Sequence, residues 1–304
     1  MLSKKELQYR LQVINVILIL SKNIKTKGEK KMQKCKIIAI ANQKGGVGKT
    51  TTTFNLGVAL AKLNKKVLLV DLDPQGDLTV CAGINNQDDV NITIATLIEQ
   101  AIKEQDIKTD KAIIHHDENI DLIPSNLDLS LAESDLFQAF GREKRLKECL
   151  EVIRKNYDYI LIDCMPSLGM LTVNALTCAD SVIIPVQSQY LAARGMTHLF
   201  QSIDMVRKHT NENLKIEGIV LTLVDYRTNL SNDISNELDE KYGHHIKIFN
   251  SKIPVAVKTA ESTIYGQSVF KYDKYGKVSK SYYELAKEVE NATGKVKTEP
   301  SFVR

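Results

Sequence analysis

Short, almost wholly apolar runs alternate along this chain with stretches whose apolar residues recur every three or four positions. The first run is Lys36-Ile37-Ile38-Ala39-Ile40-Ala41, the length of a buried strand. Runs of the same kind recur at residues 67–71, 120–124, 159–163, 181–186, 216–224 and 246–249. Between the first two, Phe54, Leu56, Val58, Ala59, Leu60 and Leu63 keep helical spacing. The same period predicts helices over residues 93–102, 127–140, 142–156, 192–208, 229–242 and 279–290, and one that ends at 175–178. Gly141 separates the second and third of these, and Pro74-Gln75-Gly76 reads as a turn.

Strands that are apolar throughout, rather than on alternate positions, are covered on both faces. With helices between them, they predict an α/β fold: three layers, doubly wound, a mainly parallel sheet with helices on both faces. The pattern fills residues 35–292, read as a single domain, and residues 293–304 read as a disordered tail too poor in apolar residues for a membrane helix.

Charge separates residues 1–34 from the rest. They carry nine Lys/Arg against two Glu, a balance of +7, so the chain's net +4 leaves about −3 for the other 270 residues. A nucleic-acid surface on the body is therefore expected as a local patch. Within the extension, residues 11–20 form the most apolar stretch of the chain, too short to span a bilayer comfortably, and residues 21–34 read as a polar linker. An added element against the body, a weak membrane anchor and an over-long start, with Met32 as the true one, are the three readings. Five scattered cysteines with no C-x-x-C pair argue against a disulfide framework and a zinc site, and fit a reducing cytoplasm.

The candidate chemistry sits between the first strand and the first helix, at Gln43-Lys44-Gly45-Gly46-Val47-Gly48-Lys49-Thr50-Thr51-Thr52. Glycines let backbone amides turn inward around an anion, and the helix that follows adds its unsatisfied N–H groups. Gly45 to Thr51 would cradle phosphates, Lys49 would neutralise the β- and γ-phosphates, and the Thr50 hydroxyl suits Mg²⁺. Two lysines in so short a turn call for a polyphosphate. Asp71, Asp73 and Asp163 all follow apolar strands, which places them at the carboxyl edge of the sheet, where α/β folds bind ligands. Magnesium keeps most of its waters, so Thr50 is expected as a direct ligand, with Asp71 and Asp163 holding metal-bound water.

Lys44-Gly45-Gly46-Val47-Gly48-Lys49-Thr50 resembles the deviant Walker A loop of the ParA/MinD group of ATPases. The likeness continues in Val70-Asp71-Leu72-Asp73-Pro74-Gln75-Gly76 and in residues 160–169, and is nearest to the ParA-type partition ATPases. The resemblance implies ATP and Mg²⁺ as cofactors and a catalytic set of Lys44, Lys49 and Asp73. Asp73 would orient the attacking water. Lys44 would reach the phosphates of a partner subunit in a homodimer closed by ATP. It further implies nonspecific double-stranded DNA held by Arg227 and Lys258, a ParB-like centromere-binding partner, and a cytoplasmic, nucleoid-associated protein with no stable membrane insertion. Residues 222–228 and Ile253-Pro254 match segments near the adenine, so Pro254 joins the nucleotide site. Departures are Gln43 where the common P-loop has Gly, Met165 for a usual Pro, and Val255 and Ala256 where the family often has Arg and Asn.

A MinD-like membrane-cycling ATPase and a nucleotide-gated DNA-binding regulator are the alternatives. An iron–sulfur reductase of the same superfamily would need matched cysteines, which Cys81 and Cys164 do not supply. The tyrosines Tyr265, Tyr272, Tyr275, Tyr282 and Tyr283 are read as packing residues, and the pairs His115-His116 and His244-His245 as solvent-facing.

Overall fold

The computed structural model of the protein describes residues 35–188, 196–227 and 230–291; the expectations for 1–34 and 293–304 lie outside these. Among the described residues one seven-stranded sheet forms: β1 (Lys36–Ile40), β2 (Val67–Leu72), β3 (Ile114–His116), β4 (Ile120–Ile123), β5 (Tyr159–Cys164), β6 (Ser181–Gln187) and β7 (Lys215–Thr222). Their order is β3-β4-β2-β5-β1-β6-β7. All neighbours are parallel except the β3–β4 hairpin at the edge. The helices are α1 (Lys49–Lys62), α2 (Asp77–Cys81), α3 (Ile94–Ile102), α4 (Asp128–Leu136), α5 (Arg145–Glu151), α6 (Met170–Cys178), α7 (Thr197–His209), α8 (Leu230–Leu238), α9 (Val257–Ile264), α10 (Val269–Tyr272) and α11 (Lys277–Asn291).

Successive strand residues point to opposite faces, and the core divides accordingly. Ile37, Ala39, Leu68, Val70, Ile160 and Ile162 pack with α3, α4, α5, α6 and α7 on one face. Ile38, Ile40, Leu69 and Leu161 pack with α1 and α11 on the other. Each fully buried Leu or Ile contributes about 1.5–3 kcal/mol, so both layers are driven by burial rather than by helix propensity. The result is the three-layer, doubly wound α/β fold that the apolar pattern predicts, in the P-loop NTPase form that the resemblance implies.

β1 lies between β5 and β6. The chain crosses to β2 on one side of it and reaches β6 on the other, so the carboxyl end of β1 opens at the point where the winding reverses. The register sets Ile40 beside Asp163, and Asp163 beside Asp71.

Several boundaries differ from the sequence expectation. The helices expected over 127–140 and 142–156 shrink to α4 and α5, with 3₁₀ turns at Arg142–Lys144 and Arg154–Asn156. Residues 246–249 do not form a strand; Ile248 makes a single bridge to Ile219. The helix expected to Tyr242 stops at Leu238 and continues as one π-turn. α2 and α10 are too short to show a helical period, and α9 is not among the helices the sequence predicts. Of the tyrosines, Tyr282 is buried and Tyr265 stacks on Tyr272 at 5.5 Å, but Tyr275 is largely exposed.

Candidate functional site

The glycine-rich turn leaves β1 and re-enters regular structure at α1. Gly46 and Gly48 have φ of +70° and +79°, and Gly48 is the residue that opens α1. A side chain at either would be strained, whatever the space around it. The first turn of α1 holds no acidic residue, so its free amides and positive end are left for an external anion.

Two polar side chains pin the turn. Asn42 donates from Nδ2 to the Pro185 carbonyl on β6 (2.7 Å) and accepts at Oδ1 from the Lys44 amide (3.0 Å). Thr222, at the end of β7, donates from Oγ1 to the Val47 carbonyl (2.7 Å). Sequence reasoning did not single out Asn42, and placed Thr222 only among residues near a base. The signal was present: each is a polar residue at the carboxyl end of an apolar strand.

Lys49 is 93% buried by exposure, with 7% of its surface accessible, and its ammonium donates to the Lys44 carbonyl at 3.2 Å. Burial pulls its pKa below the ordinary lysine value, while the Asp163 charge works the other way. A buried ammonium held by one carbonyl is costly and gains greatly from an arriving anion. Lys44 is exposed on the outer turn, its amide and carbonyl both engaged. Thr50 and Thr51 lie half-buried in the first turn of α1.

The carboxylates are not equivalent. Asp163 is buried; its Oδ1 accepts from Thr53 Oγ1 at 3.1 Å, and its Oδ2 has no partner among the described residues. Burial pushes its pKa well above the usual carboxylate range. The neighbouring Asp71 adds to the rise, and the Thr50 and Thr53 hydroxyls oppose it. Asp71 has both oxygens committed: Oδ2 accepts from the Thr79 amide (2.8 Å) and hydroxyl (2.7 Å), and Oδ1 from the Asp73 amide (3.2 Å). Burial raises it to about 7 against those hydrogen bonds. Asp71 therefore anchors α2 and the turn that carries Asp73. Asp73 is half-buried, and its Oδ1 accepts from the Gln75 amide at 3.0 Å. Burial raises its pKa, and the Lys49 charge opposes the rise. An unpartnered buried carboxylate oxygen near a threonine hydroxyl is a donor set that fits a hard divalent cation.

The other expected residues lie further out. Pro254 is buried and bridges Val224, two residues beyond Thr222, and it borders a cavity of about 180 Å³ with Ala256, Lys258 and Val278. Arg227, 85% exposed, grips Asp225 with two hydrogen bonds of 2.7 and 2.8 Å and holds it down to about 2. Lys258 meets Asp273 at 3.0 Å and Lys271 meets Asp117 at 2.5 Å. The structure thus pairs each of these cations with an acid, which the sequence did not foretell. Tyr282 sets its hydroxyl 3.3 Å from Thr52 Oγ1, linking α11 to α1. His116 is half-buried with its ring edge-on to Phe54, not solvent-facing; it stands near Asp117 and Glu118, but Nδ1 accepts the Glu118 amide.

Asp163→Asn is expected to stabilise the protein in the absence of ligands. An acid whose folded pKa is raised binds its proton more tightly when folded. Its favourable contribution is complete below the unfolded value of 3.8 and is lost as pH rises. At pH 8 the apo variant should melt a few degrees above the wild type, with a flatter pH dependence, yet gain less from Mg²⁺ with nucleotide. A lower apo midpoint in differential scanning calorimetry would show that the Asp163 charge is already compensated.

A family model described as an AAA domain matches residues 35–216. The sporulation initiation inhibitor protein Soj of Bacillus subtilis is 46% identical over 254 residues, covering 84% of this chain and 98% of Soj. The chromosome partitioning protein ParA of Caulobacter vibrioides is 41% identical, covering 84% of this chain and 93% of its own. The crystal structure of cobyrinic acid a,c-diamide synthase from Mycobacterium smegmatis with bound ADP and magnesium superposes with a TM-score of 0.74 at 34% identity. It covers 89% of this chain and 100% of that one.

Proposed function

The chain belongs to the family of ParA-type partition ATPases, and from that premise we propose that it hydrolyses ATP with Mg²⁺, dimerises on ATP, and binds duplex DNA without sequence preference. A ParB-like centromere-binding protein triggers it, and together they move a plasmid or chromosome along the nucleoid. The observation that carries this reading is the pair of buried, under-compensated charges at the pinned loop. The Lys49 ammonium has one carbonyl partner, and Asp163 has an oxygen with none.

The residues divide the work. Gly45 to Thr51 offer amides to the phosphates, and Lys49 neutralises the β- and γ-phosphates of its own subunit. Bound magnesium would supply further charge neutralisation, with Thr50 and the unpartnered Asp163 oxygen to hold it, and Asp71, both of whose oxygens are already committed, beside Asp163. Asp73 orients water for in-line attack, a task that needs position more than basicity. Lys44 extends into the partner subunit. Mg·ATP at a hundredfold excess over its Kd should stabilise the protein by about 2.7 kcal/mol. Lys49→Ala should lose this stabilisation and phosphate release together; retention of both would move the nucleotide site elsewhere.

On the DNA side the ion pairs set the expectation. Lys258→Ala and Arg227→Ala should each weaken binding to any duplex alike and reduce the log–log salt slope by about 0.9 per lost phosphate contact. Asp273→Asn frees Lys258 and should strengthen binding severalfold. Unchanged binding in all three, measured by fluorescence anisotropy, would place the DNA face elsewhere. A membrane-cycling role lacks comparable support. Leu285, Ala286 and Val289 of α11 are buried in the core, and no described helix is long and apolar enough to cross a membrane.

A further inference from the structure

Asp73 stands on a turn with two holds. The inner one is Asp71, which accepts the Asp73 amide from within the core. The turn closes on itself through the Gly76 amide to the Asp73 carbonyl (2.9 Å) and the Gln75 amide to Asp73 Oδ1 (3.0 Å). The outer hold comes from a different part of the chain. Gln87, in the 3₁₀ turn Gln87–Asp89, donates from Nε2 to two successive carbonyls, Gln75 at 3.2 Å and Gly76 at 3.0 Å.

The fit depends on Gly76. Its φ is +65°, and a Cβ there would sit 2.4 Å from Gln87 Nε2, so the amide occupies the space a side chain would fill. The Gly76 carbonyl also accepts the Val80 amide at 3.0 Å, and thereby opens α2. One side-chain amide therefore spans the end of the Asp73 turn and the start of the helix behind it. Among the described residues, no other hydrogen bond to this turn comes from outside residues 71–80.

We propose that Gln87 is a positioning residue for Asp73, fixing the turn from its outer side so that the carboxylate is aimed at the attacking water. This rests on the assignment of Asp73 as the water-orienting group. Gln87 touches neither nucleotide nor metal; it acts through the Gln75 and Gly76 carbonyls. Misplacement of a positioning group by a fraction of an ångström to 1 Å lowers the rate while leaving binding intact. Gln87→Ala leaves the Gly76 carbonyl bonded to Val80 and the exposed Gln75 carbonyl open to water, so folding is preserved. Gln87→Glu removes both donors and sets a carboxylate against two carbonyls. Gly76→Ala displaces the amide from the other side.

The test is kcat and KM for Mg·ATP, with DNA present, for the wild type, Q87A, Q87E, G76A, D73A and the D73A/Q87A double variant, alongside each thermal midpoint and ATP affinity. The expected result is a fall in kcat of about tenfold or more in Q87A and Q87E with KM and ATP affinity unchanged. G76A should fall likewise, and the double variant should be no slower than D73A alone. A wild-type kcat in Q87A beside a disabled D73A overturns the role of Gln87 while sparing that of Asp73. So does a loss that adds in full to that of D73A. Turnover by D73A near the wild-type rate overturns the Asp73 assignment and this inference with it. A Q87A defect confined to KM or the thermal midpoint shows a structural role only.

Discussion

Asp73→Ala protein is expected to bind Mg·ATP as the wild type does and to turn it over about 10²–10³-fold more slowly. The effect follows from where Asp73 stands. It lies one residue past the end of β2, on a turn whose amide Asp71 holds from the core, with Lys49 close enough to oppose the rise in its pKa. Among the described residues it makes no hydrogen bond to the glycine-rich loop, so ground-state binding is expected not to need it. Phosphoryl transfer is limited by alignment and charge rather than by a strong base, so loss of the aligning carboxylate appears in kcat and not in affinity. Asp73→Asn sharpens the point: it keeps the acceptor for the Gln75 amide and removes only the charge. Single-turnover phosphate release beside equilibrium ATP binding separates the two quantities. A fall in affinity equal to the fall in rate would make Asp73 a binding residue.

Much of this site was legible in the chain because it rests on local rules. A strand of Ile and Ala, glycines where backbone must turn left-handed, a Lys-Thr pair and a helix are all written within residues 36–63, and three aspartates each follow an apolar run. What stayed hidden depends on contacts between distant segments. Asn42 and Thr222 hold the loop from strands that are neighbours only in the folded sheet, 143 residues away in the case of Asn42 and Pro185. Asp71 and Asp163 looked alike in sequence, yet the first is filled by Thr79 and Asp73 while the second keeps an oxygen without a partner. The acids facing Lys258 and Lys271 come from Asp273 and Asp117, and no local pattern announces either pairing. The short helices α2 and α10 escaped for a simpler reason: fewer than two turns cannot display a period of 3.6.

Lys44→Ala should keep most of the monomer's ATP affinity and lose ATP-dependent dimerisation, with stimulated hydrolysis down by about 10³-fold or more. The two lysines of the loop are placed for different work. Lys49 is buried with its ammonium inside the turn, against the Lys44 carbonyl. Lys44 contributes that carbonyl and its amide to the turn, and its side chain is exposed. Its backbone builds the local site in any variant, so removal of the side chain leaves the cradle standing. A cation that reaches a second subunit's phosphates acts as an arginine finger does, in trans. DNA binding should fall with dimerisation, because a monomer presents half of the phosphate contacts and affinity rises steeply with their number. Sedimentation with Mg·ATP, run beside Asp73→Ala as a dimer-trapping control, reads the first effect. An Lys44→Ala protein that dimerises as well as the control would place Lys44 in cis.

Mixing the two disabled proteins tests the shared site most directly. In a heterodimer of Lys44→Ala and Asp73→Ala, the Lys44→Ala subunit keeps its own Asp73 and receives Lys44 from its partner, so one of the two sites is whole. Random pairing then restores up to roughly a quarter of the wild-type ATPase rate in an equimolar mixture, although each protein alone is inactive. A mixture no faster than the sum of its two components, at concentrations where wild-type protein dimerises, would contradict a site completed by the partner subunit.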